Sequence, residues 1–367
     1  MARIRLHLCL LLLATLVAAA QTPPVQSTSV WTLQSSQTTA SLRGIHAVNS
    51  QIAWASGTSG TILRTLDGGR HWRPCAIPPN AAKLDFRAIW AFDARTAWAM
   101  SSGLGNQSRL YKTTDGCAHW TLLATNPDPK GFWDAMIFQN RRKGFLLGDP
   151  VHHHFVFLST TNGGLTWKPS QSPTLAAKPF ATGAFAASNA SLLAGPRDPI
   201  LFGTTGAWIY RQTWQGSVLL TAKPKTPIPM HEIWTPIPAP LAKGGPAAGI
   251  FAVAGNAGAP GGDGTILAVG GNYTQPNNPT GTAAWSADGG LHWRAATHPP
   301  HGYRSTVAWD PTSHAWITAG TNGSDVSYDN GKTWHPLGNG NWNAISLPFI
   351  VGPNGRIGRL NPARLPK

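Results

Sequence analysis

Short apolar segments recur along the chain, and each is followed by a turn and by a second apolar segment that ends at glycine. Apolar runs of about four to eight residues bounded by turn residues are typical of β-strands. The first segments begin near residues 45, 86, 133, 182, 249, 303 and 342, and the second segments end at Gly57, Gly103, Gly148, Gly195, Gly270, Gly320 and Gly352. Both features give seven units, so the pattern predicts an all-β protein built from a repeat.

A second pattern, Ser/Thr-x-Asp-x-Gly-x-x-Trp, follows these segments five times with small changes. Asp or Asn closes a turn by accepting bonds from backbone N–H groups, Gly supplies a positive φ, and Trp fills the layer between neighbouring sheets. We therefore interpret each copy as a structural hairpin turn and assign its carboxylate no role in catalysis or metal binding. The paired positions are Asp67 and Trp72, Asp115 and Trp120, Asn162 and Trp167, Asp288 and Trp293, and Asp329 and Trp334.

The two ends of the repeat are expected to complete one unit together. The unit that begins near residue 342 has no outer strand of its own, whereas the segment 29–33 stands alone before the first unit. Pairing them closes the ring and removes an open sheet edge. The stretch 168–285 is the least regular: we interpret the proline-rich part at about 223–248 as an insertion, and eight units remain an alternative.

The repeated turn is the Asp box, or BNR repeat, of sialidase-like and related β-propellers, where it lies on the outer hairpin of each blade. With its five boxes, seven units and segments such as Gly302–Ser305 and Gly352–Ile357, the chain resembles the photosystem II stability/assembly factor family over residues 30–361. The resemblance implies a seven-bladed β-propeller. It also implies a non-enzymatic scaffold that binds a partner protein during assembly of a larger complex.

Polar residues near the starts of the inner strands are the candidate binding residues. In a propeller the loops that enter the inner strands share one face with the loops between second and third strands. Two Arg, an Asp and a His at one channel mouth suit a carboxylate or another anion, because the guanidinium is a rigid bidentate donor. A structural ion pair between Arg87 and Asp134 is the alternative. The candidates are His46, Arg87, Asp134, Asp149, Tyr273, Tyr303, Arg304 and Asn343.

An enzymatic alternative is a sialidase-like glycoside hydrolase, or a carbohydrate-binding protein. Such a hydrolase needs an Arg cluster, a Tyr nucleophile and an acidic partner. The chain has one Glu, Glu232, inside the predicted insertion, and Tyr303 beside Arg304 keeps this alternative open. The sequence contains no phosphate loop, dinucleotide fingerprint or zinc-protease motif, so we expect no cofactor and no metal.

The net charge of the chain indicates which classes of partner to expect. Lys and Arg outnumber Asp and Glu by 29 to 14, and the net charge is +15, although only 12% of residues are charged. The cations are dispersed and no recognition-helix pattern is visible, so no nucleic acid partner is expected. An acidic protein or an anionic envelope or glycan surface fits better. We expect a monomer with no transmembrane span in the mature chain.

The first twenty residues have the pattern of a cleaved secretory signal. Arg3 and Arg5 precede an apolar run, and small residues end it near Ala20. We therefore expect a signal peptide at 1–20, a single propeller domain at 21–367, and a periplasmic or secreted protein.

The two cysteines of the mature chain can form a disulfide in such an oxidising compartment. Cys75 follows the first box by three residues, and Cys117 replaces a glycine within the second box. The bond is expected to join blades one and two. A pair of small buried hydrophobic side chains is the alternative.

Overall fold

Seven four-stranded antiparallel sheets make up the fold in the computed structural model, which describes residues 29–215 and 231–366. Each innermost strand contacts the innermost strand of the next sheet, and the last of them contacts the first. The sheets are therefore the blades of a closed seven-bladed propeller, as the repeat predicts. The predicted signal peptide lies outside the described residues. No helix in the described ranges is long and apolar enough to span a membrane.

The strands follow one another blade by blade along the chain. After β1 (Trp31–Gln34), blade one consists of β2 (Leu42–Ala47), β3 (Ala53–Gly57), β4 (Ile62–Thr65) and β5 (Arg73–Pro74); blade two of β6 (Phe86–Ala91), β7 (Ala97–Ser101), β8 (Arg109–Thr113) and β9 (Thr121–Thr125); and blade three of β10 (Trp133–Phe138), β11 (Gly144–Val151), β12 (His154–Thr160) and β13 (Lys168–Pro169). Blade four consists of β14 (Leu192–Leu193), β15 (Leu201–Gly203), β16 (Trp208–Gln215) and β17 (His231–Pro238), and blade five of β18 (Ala248–Gly255), β19 (Ile266–Asn272), β20 (Ala283–Ser286) and β21 (Arg294–Ala295). Blade six consists of β22 (Thr306–Asp310), β23 (Ala315–Gly320), β24 (Gly323–Ser327) and β25 (His335–Gly338), and β26 (Ala344–Ser346), β27 (Phe349–Val351) and β28 (Ile357–Leu360) belong to blade seven.

The N-terminal strand completes blade seven, which confirms the predicted closure. Strand β1 pairs antiparallel with β28, with Trp31 opposite Leu360. The Trp31 side chain is buried, and its indole N–H donates to the Ser324 hydroxyl of blade six at 2.9 Å. Strand β1 is thereby fixed to blades six and seven, and it supplies the outer strand of blade seven.

The Asp boxes are hairpin turns between the third and fourth strands. In the first box the Thr65 hydroxyl donates to Asp67 Oδ1 at 3.0 Å and accepts the Gly69 N–H at 2.8 Å, while the His71 N–H donates to Asp67 Oδ1 at 3.0 Å. The same three bonds recur in the other four boxes. These carboxylates and amides therefore hold backbone, and the box tryptophans are buried or partly buried beside them.

Blade four departs from the sequence-based prediction. Its inner strand is β14 rather than a strand from residue 182, and its second strand is β15 rather than a strand ending at Gly195. Residues 181–186 have no regular secondary structure. Part of the predicted insertion, His231–Pro238, is the outer strand β17, which pairs with β16 along its length, whereas 223–230 lies outside the described residues. Proline is compatible with an edge strand, because one side of that strand makes no ladder bonds.

A disulfide joins Cys75 to Cys117, the pair indicated by the sequence, with the Cα atoms 5.4 Å apart. The Cys75 N–H donates to the Ile62 carbonyl of blade one, and Cys117 lies in the box of blade two. The bond therefore links neighbouring blades at their outer edge.

Candidate functional site

β-Bulges occur at the same place in four inner strands. The ladder between the inner and second strands skips one residue at Arg43, Arg87, Asp134 and Phe251. A bulge inserts one unpaired residue and redirects its side chain. All four bulged residues line one cavity of about 510 Å³, which we call the channel-mouth pocket. Four blades thus direct one side chain each into the same space.

Two guanidinium groups form one wall of this pocket. Arg87 Nε donates to Asp85 Oδ2 at 2.8 Å, and Arg43 Nε lies 3.7 Å from the same oxygen. Two cations share one carboxylate, so this wall keeps a net positive charge. The alternative ion pair between Arg87 and Asp134 is not formed, because Arg87 is bonded to Asp85 instead.

A pair of carboxyl groups forms the wall beside it. Asp134 is 1% exposed, and Asp149 Oδ1 accepts the Ala184 N–H at 2.9 Å. Burial, and then the neighbouring Asp149, raise the pKa of Asp134 well above its usual range, and burial raises the pKa of Asp149 to about 6. Adjacent buried carboxyls share a proton, because two like charges in one site repel each other. At neutral pH the pair therefore carries about one negative charge rather than two.

Several polar atoms of these two walls have no hydrogen-bond partner among the described residues. Within the part of the chain that the structure describes, Arg43 Nε, Asp85 Oδ1 and Asp134 Oδ2 are buried and unpartnered. A buried polar atom left in this state costs about 1–3 kcal/mol. A ligand with an acceptor for Arg43 and a donor for Asp134 would satisfy two of these atoms at once. The walls are suited to a polar ligand that carries both kinds of group.

Aromatic rings complete the pocket. Phe185 stacks on Phe251 with ring centroids 3.5 Å apart, and the Tyr303 ring lies 4.7 Å from Phe251, edge to face. Tyr273 contributes an exposed ring at the rim. Burial raises the pKa of the Tyr303 phenol, which makes this hydroxyl a poor nucleophile at neutral pH. This environment gives no support to the sialidase-like alternative.

Five of the eight predicted site residues lie together in the pocket. They are Arg87, Asp134, Asp149, Tyr273 and Tyr303.

His46 and Asn343 make contacts outside the pocket. His46 lies near the end of β2, its ring 4.2 Å from that of Trp90, and burial lowers its pKa to about 4. Asn343 donates its amide to the Leu42 carbonyl at 2.7 Å, across the seam between blades seven and one. Neither residue lines the pocket, in contrast to the predicted positions.

Arg304 is also absent from the pocket lining, because it is 0% exposed between blades. Its Nε donates to Asp325 Oδ2 at 2.6 Å, and a second guanidinium nitrogen donates to Asn322 Oδ1 at 2.6 Å. His301 Nδ1 lies 2.6 Å from the other oxygen of Asp325. Arg304 is therefore part of a buried ionic network and does not occupy the predicted position at the channel mouth.

A one-residue offset explains the position of Arg304. The Arg304 N–H donates to the Gly270 carbonyl of blade five, as Trp342 donates to Gly320 and Leu42 to Gly352. Arg304 therefore occupies the position just before the bulge, which is apolar in those other blades. Moving one residue along a strand reverses the face on which a side chain lies.

Arg43 was missed, although the sequence carries a signal for it. The bulges follow the pattern apolar-x-Gly/Ala-apolar, which describes 42–45 as well as 86–89 and 133–136. This alignment places Arg43 level with Arg87 and Asp134, whereas the prediction began the first inner strand near residue 45. No comparable sequence pattern marks Asp85 or Phe185.

Comparison with known proteins supports the fold. The BNR/Asp-box repeat family matches residues 325–336, which include the last box. A solved structure described as YCF48 bound to D1 peptide is similar with a TM-score of 0.59 and 15% identity, covering 93% of this chain and 98% of that one. YCF48 from Cyanidioschyzon merolae is similar with a TM-score of 0.55 and 18% identity, covering 91% and 99%. No curated protein matches the sequence. The chain thus has the fold of these two structures and carries the Asp-box repeat.

Proposed function

We propose that this chain is a non-enzymatic propeller that binds a protein partner through the channel-mouth pocket. The observation that carries the proposal is the convergence of Arg43, Arg87 and Asp134 on one cavity through three equivalent bulges. Bulges of this kind aim side chains at the cost of ladder bonds, and they often lie beside functional sites. The similarity to YCF48, whose structure holds a D1 peptide, supports a peptide as the ligand class.

The walls of the pocket suggest how a peptide is recognised. A carboxylate, from an acidic side chain or from a chain terminus, accepts bonds from Arg43 and Arg87. A backbone N–H of the same peptide donates to the free oxygen of Asp134. Both interactions give partners to buried atoms that have none within the described chain. The same hydrogen bonds therefore contribute more free energy to binding here than they would at a solvated surface.

Removing both arginines is expected to lower affinity for the partner by a factor of about a hundred or more. Each charge-assisted hydrogen bond contributes about 1.5–3 kcal/mol, and each 1.4 kcal/mol is tenfold. The purified mature protein serves as bait for an envelope fraction, and biolayer interferometry then compares the wild type with the Arg43→Ala/Arg87→Ala variant.

The matched control is Arg73→Ala/Arg294→Ala, which removes the same charge from exposed outer strands of blades one and five. The control is expected to bind within about twofold of the wild type, since it alters only the overall charge. Equal losses in the two double variants would contradict the proposal, because the effect would then come from net charge. Thermal unfolding of each variant checks that the fold is retained.

Binding of an acidic peptide is expected to strengthen about tenfold as the pH falls from about 7.5 to 5. The raised pKa of Asp149, about 6, means that the carboxyl pair gains a proton over this range, and the pocket loses a negative charge that repels the ligand carboxylate. Among the lining residues that the structure describes there is no histidine. Asp134→Asn/Asp149→Asn removes both titrating carboxyls, keeps an acceptor for the Ala184 N–H and should give a flat pH profile. A slope unchanged in this variant would rule out the carboxyl pair as its source.

Export is part of the proposal. The signal-like residues 1–20 support it, and a disulfide is stable in an oxidising compartment. N-terminal sequencing of the native protein tests this: we expect a start near Gln21, and an intact Met1 would contradict it.

A further inference from the structure

We infer that a second, apolar subsite on blade four receives a large apolar side chain of the same partner segment. This inference rests on the proposed function. The subsite is a cavity of about 420 Å³ lined by Pro179, Phe180, Gly206, Trp208, Lys243 and Gly244.

Phe180 is displayed on this surface by a fixed backbone. Its side chain is 75% exposed, more than any other large hydrophobic side chain in the described ranges. Its φ is +69°, in the left-handed region that an aromatic residue rarely adopts. The Thr205 hydroxyl donates to the Phe180 carbonyl at 2.9 Å and accepts the Thr182 N–H at 2.8 Å. These bonds compensate for the strained conformation and keep the ring at the surface.

Gly206 allows the neighbouring loop to pack closely against Phe180. A Cβ atom at this position would lie 2.8 Å from the Phe180 carbonyl oxygen, so the loop between β15 and β16 packs directly against the displayed residue. The Lys178 N–H also donates to the Tyr210 hydroxyl at 2.9 Å and ties the preceding segment to strand β16. A large apolar ring held rigidly in water is typical of a binding surface, because it loses little entropy when a partner covers it.

The apolar subsite and the channel-mouth pocket are lined by neighbouring residues of the same chain segments. The same three segments supply both cavities: 179–187 enters blade four, 205–208 joins its second and third strands, and 243–246 leads to blade five. An extended peptide bound at Arg43 and Arg87 can therefore continue over Phe180. The subsite lining contains one ionisable group, the cation Lys243, which does not repel an acidic segment. The occupant that fits is a peptide with one carboxylate and, a few residues away, one large apolar side chain.

A peptide array tests this directly. The probes are N-acetylated octapeptides of Gly and Ser with a free C-terminal carboxylate, in which Phe replaces one Ser at each position in turn. We expect the wild-type mature chain to bind at least one Phe register about tenfold or more tighter than the Ser parent, since burying a Phe side chain is worth about 1.5–3 kcal/mol.

The Phe180→Asn variant tests the apolar subsite independently of the carboxylate site. Asn tolerates the left-handed conformation, so the loop is retained. This variant should lose the preference for Phe while binding the Ser parent peptide as the wild type does. Leu165→Asn removes another exposed apolar side chain, 61% exposed, from the box of blade three and should leave both properties unchanged.

The outcomes distinguish this inference from the proposed function. A Phe preference that persists in Phe180→Asn overturns the apolar subsite and leaves the carboxylate site standing. Binding that needs no free carboxylate, or no binding by any peptide, overturns the proposed function and the subsite with it. Phe180-dependent retention on phosphatidylglycerol vesicles, without any peptide preference, would assign the ring to a lipid surface and also overturn the inference.

Discussion

Asp325→Ala is expected to lower the free energy of unfolding by about 3–5 kcal/mol, because it leaves a buried guanidinium without its counter-ion. Arg304 is fully buried, and its charge is balanced by Asp325, which lies in strand β24 of the same blade. The loss is larger than for an exposed pair, since water cannot replace the missing carboxylate.

The same position in blade two carries an apolar contact. Phe86 there precedes the bulge as Arg304 does, and it meets Tyr111 edge to face at 5.8 Å. Tyr111 pairs with Ala99, and Asp325 pairs with Thr318, at matching places in the two ladders. The double variant Arg304→Leu/Asp325→Leu should therefore recover most of the stability lost in Asp325→Ala, because apolar side chains suit this layer.

Urea unfolding followed by tryptophan fluorescence measures both effects. The control is Arg141→Ala, which breaks an exposed pair with Asp93 and should cost about 0–1 kcal/mol. If Asp325→Ala loses no more stability than Arg141→Ala, the buried network is not what holds blade six.

Loss of the disulfide is expected to lower stability by about 4 kcal/mol, the loop-closure estimate for a crosslink between cysteines 42 residues apart. Cys75→Ala tests this in the oxidised protein, and reduction of the wild type with dithiothreitol should reproduce it.

Cys117→Gly should lose about 1 kcal/mol less than Cys75→Ala. Cys117 has a φ of +69°, where the other four boxes have glycine, so a glycine there relieves strain while the crosslink is lost. Equal stability of Cys75→Ala and the oxidised wild type would show that the clamp between blades one and two contributes nothing.

The repeat made the fold predictable, because each blade carries its own copy of the same local signals. Gly and Asp at fixed places in a box specify a turn whatever the rest of the chain does. The strands of blade four could not be predicted in this way, since this blade has no box and its outer strand contains Pro236 and Pro238. Those prolines suggested an insertion, although an unpaired strand edge accepts them.

The site was harder to predict than the fold, because a bulge decides which residue faces the channel. Arg87 and Asp134 line the pocket as predicted, whereas Arg304 lies one residue out of register and is buried instead. The raised pKa values of Asp134 and Asp149 depend on burial and on contact between the ends of two neighbouring strands, which residue types do not reveal. The Phe180 surface depends on bonds from Thr205, and no sequence pattern indicates these.

Photocrosslinking from the two faces of the propeller tests the central claim most directly. The photoreactive residue p-benzoylphenylalanine replaces either Tyr273 at the pocket rim or Leu66 in the first Asp box, two positions of similar exposure at 51% and 49%. We predict a partner crosslinked from position 273 and not from position 66, with the adduct lost when Arg43 and Arg87 are both alanine. A partner crosslinked from position 66 alone, or an adduct at 273 unaffected by the arginines, would contradict binding through the channel-mouth pocket.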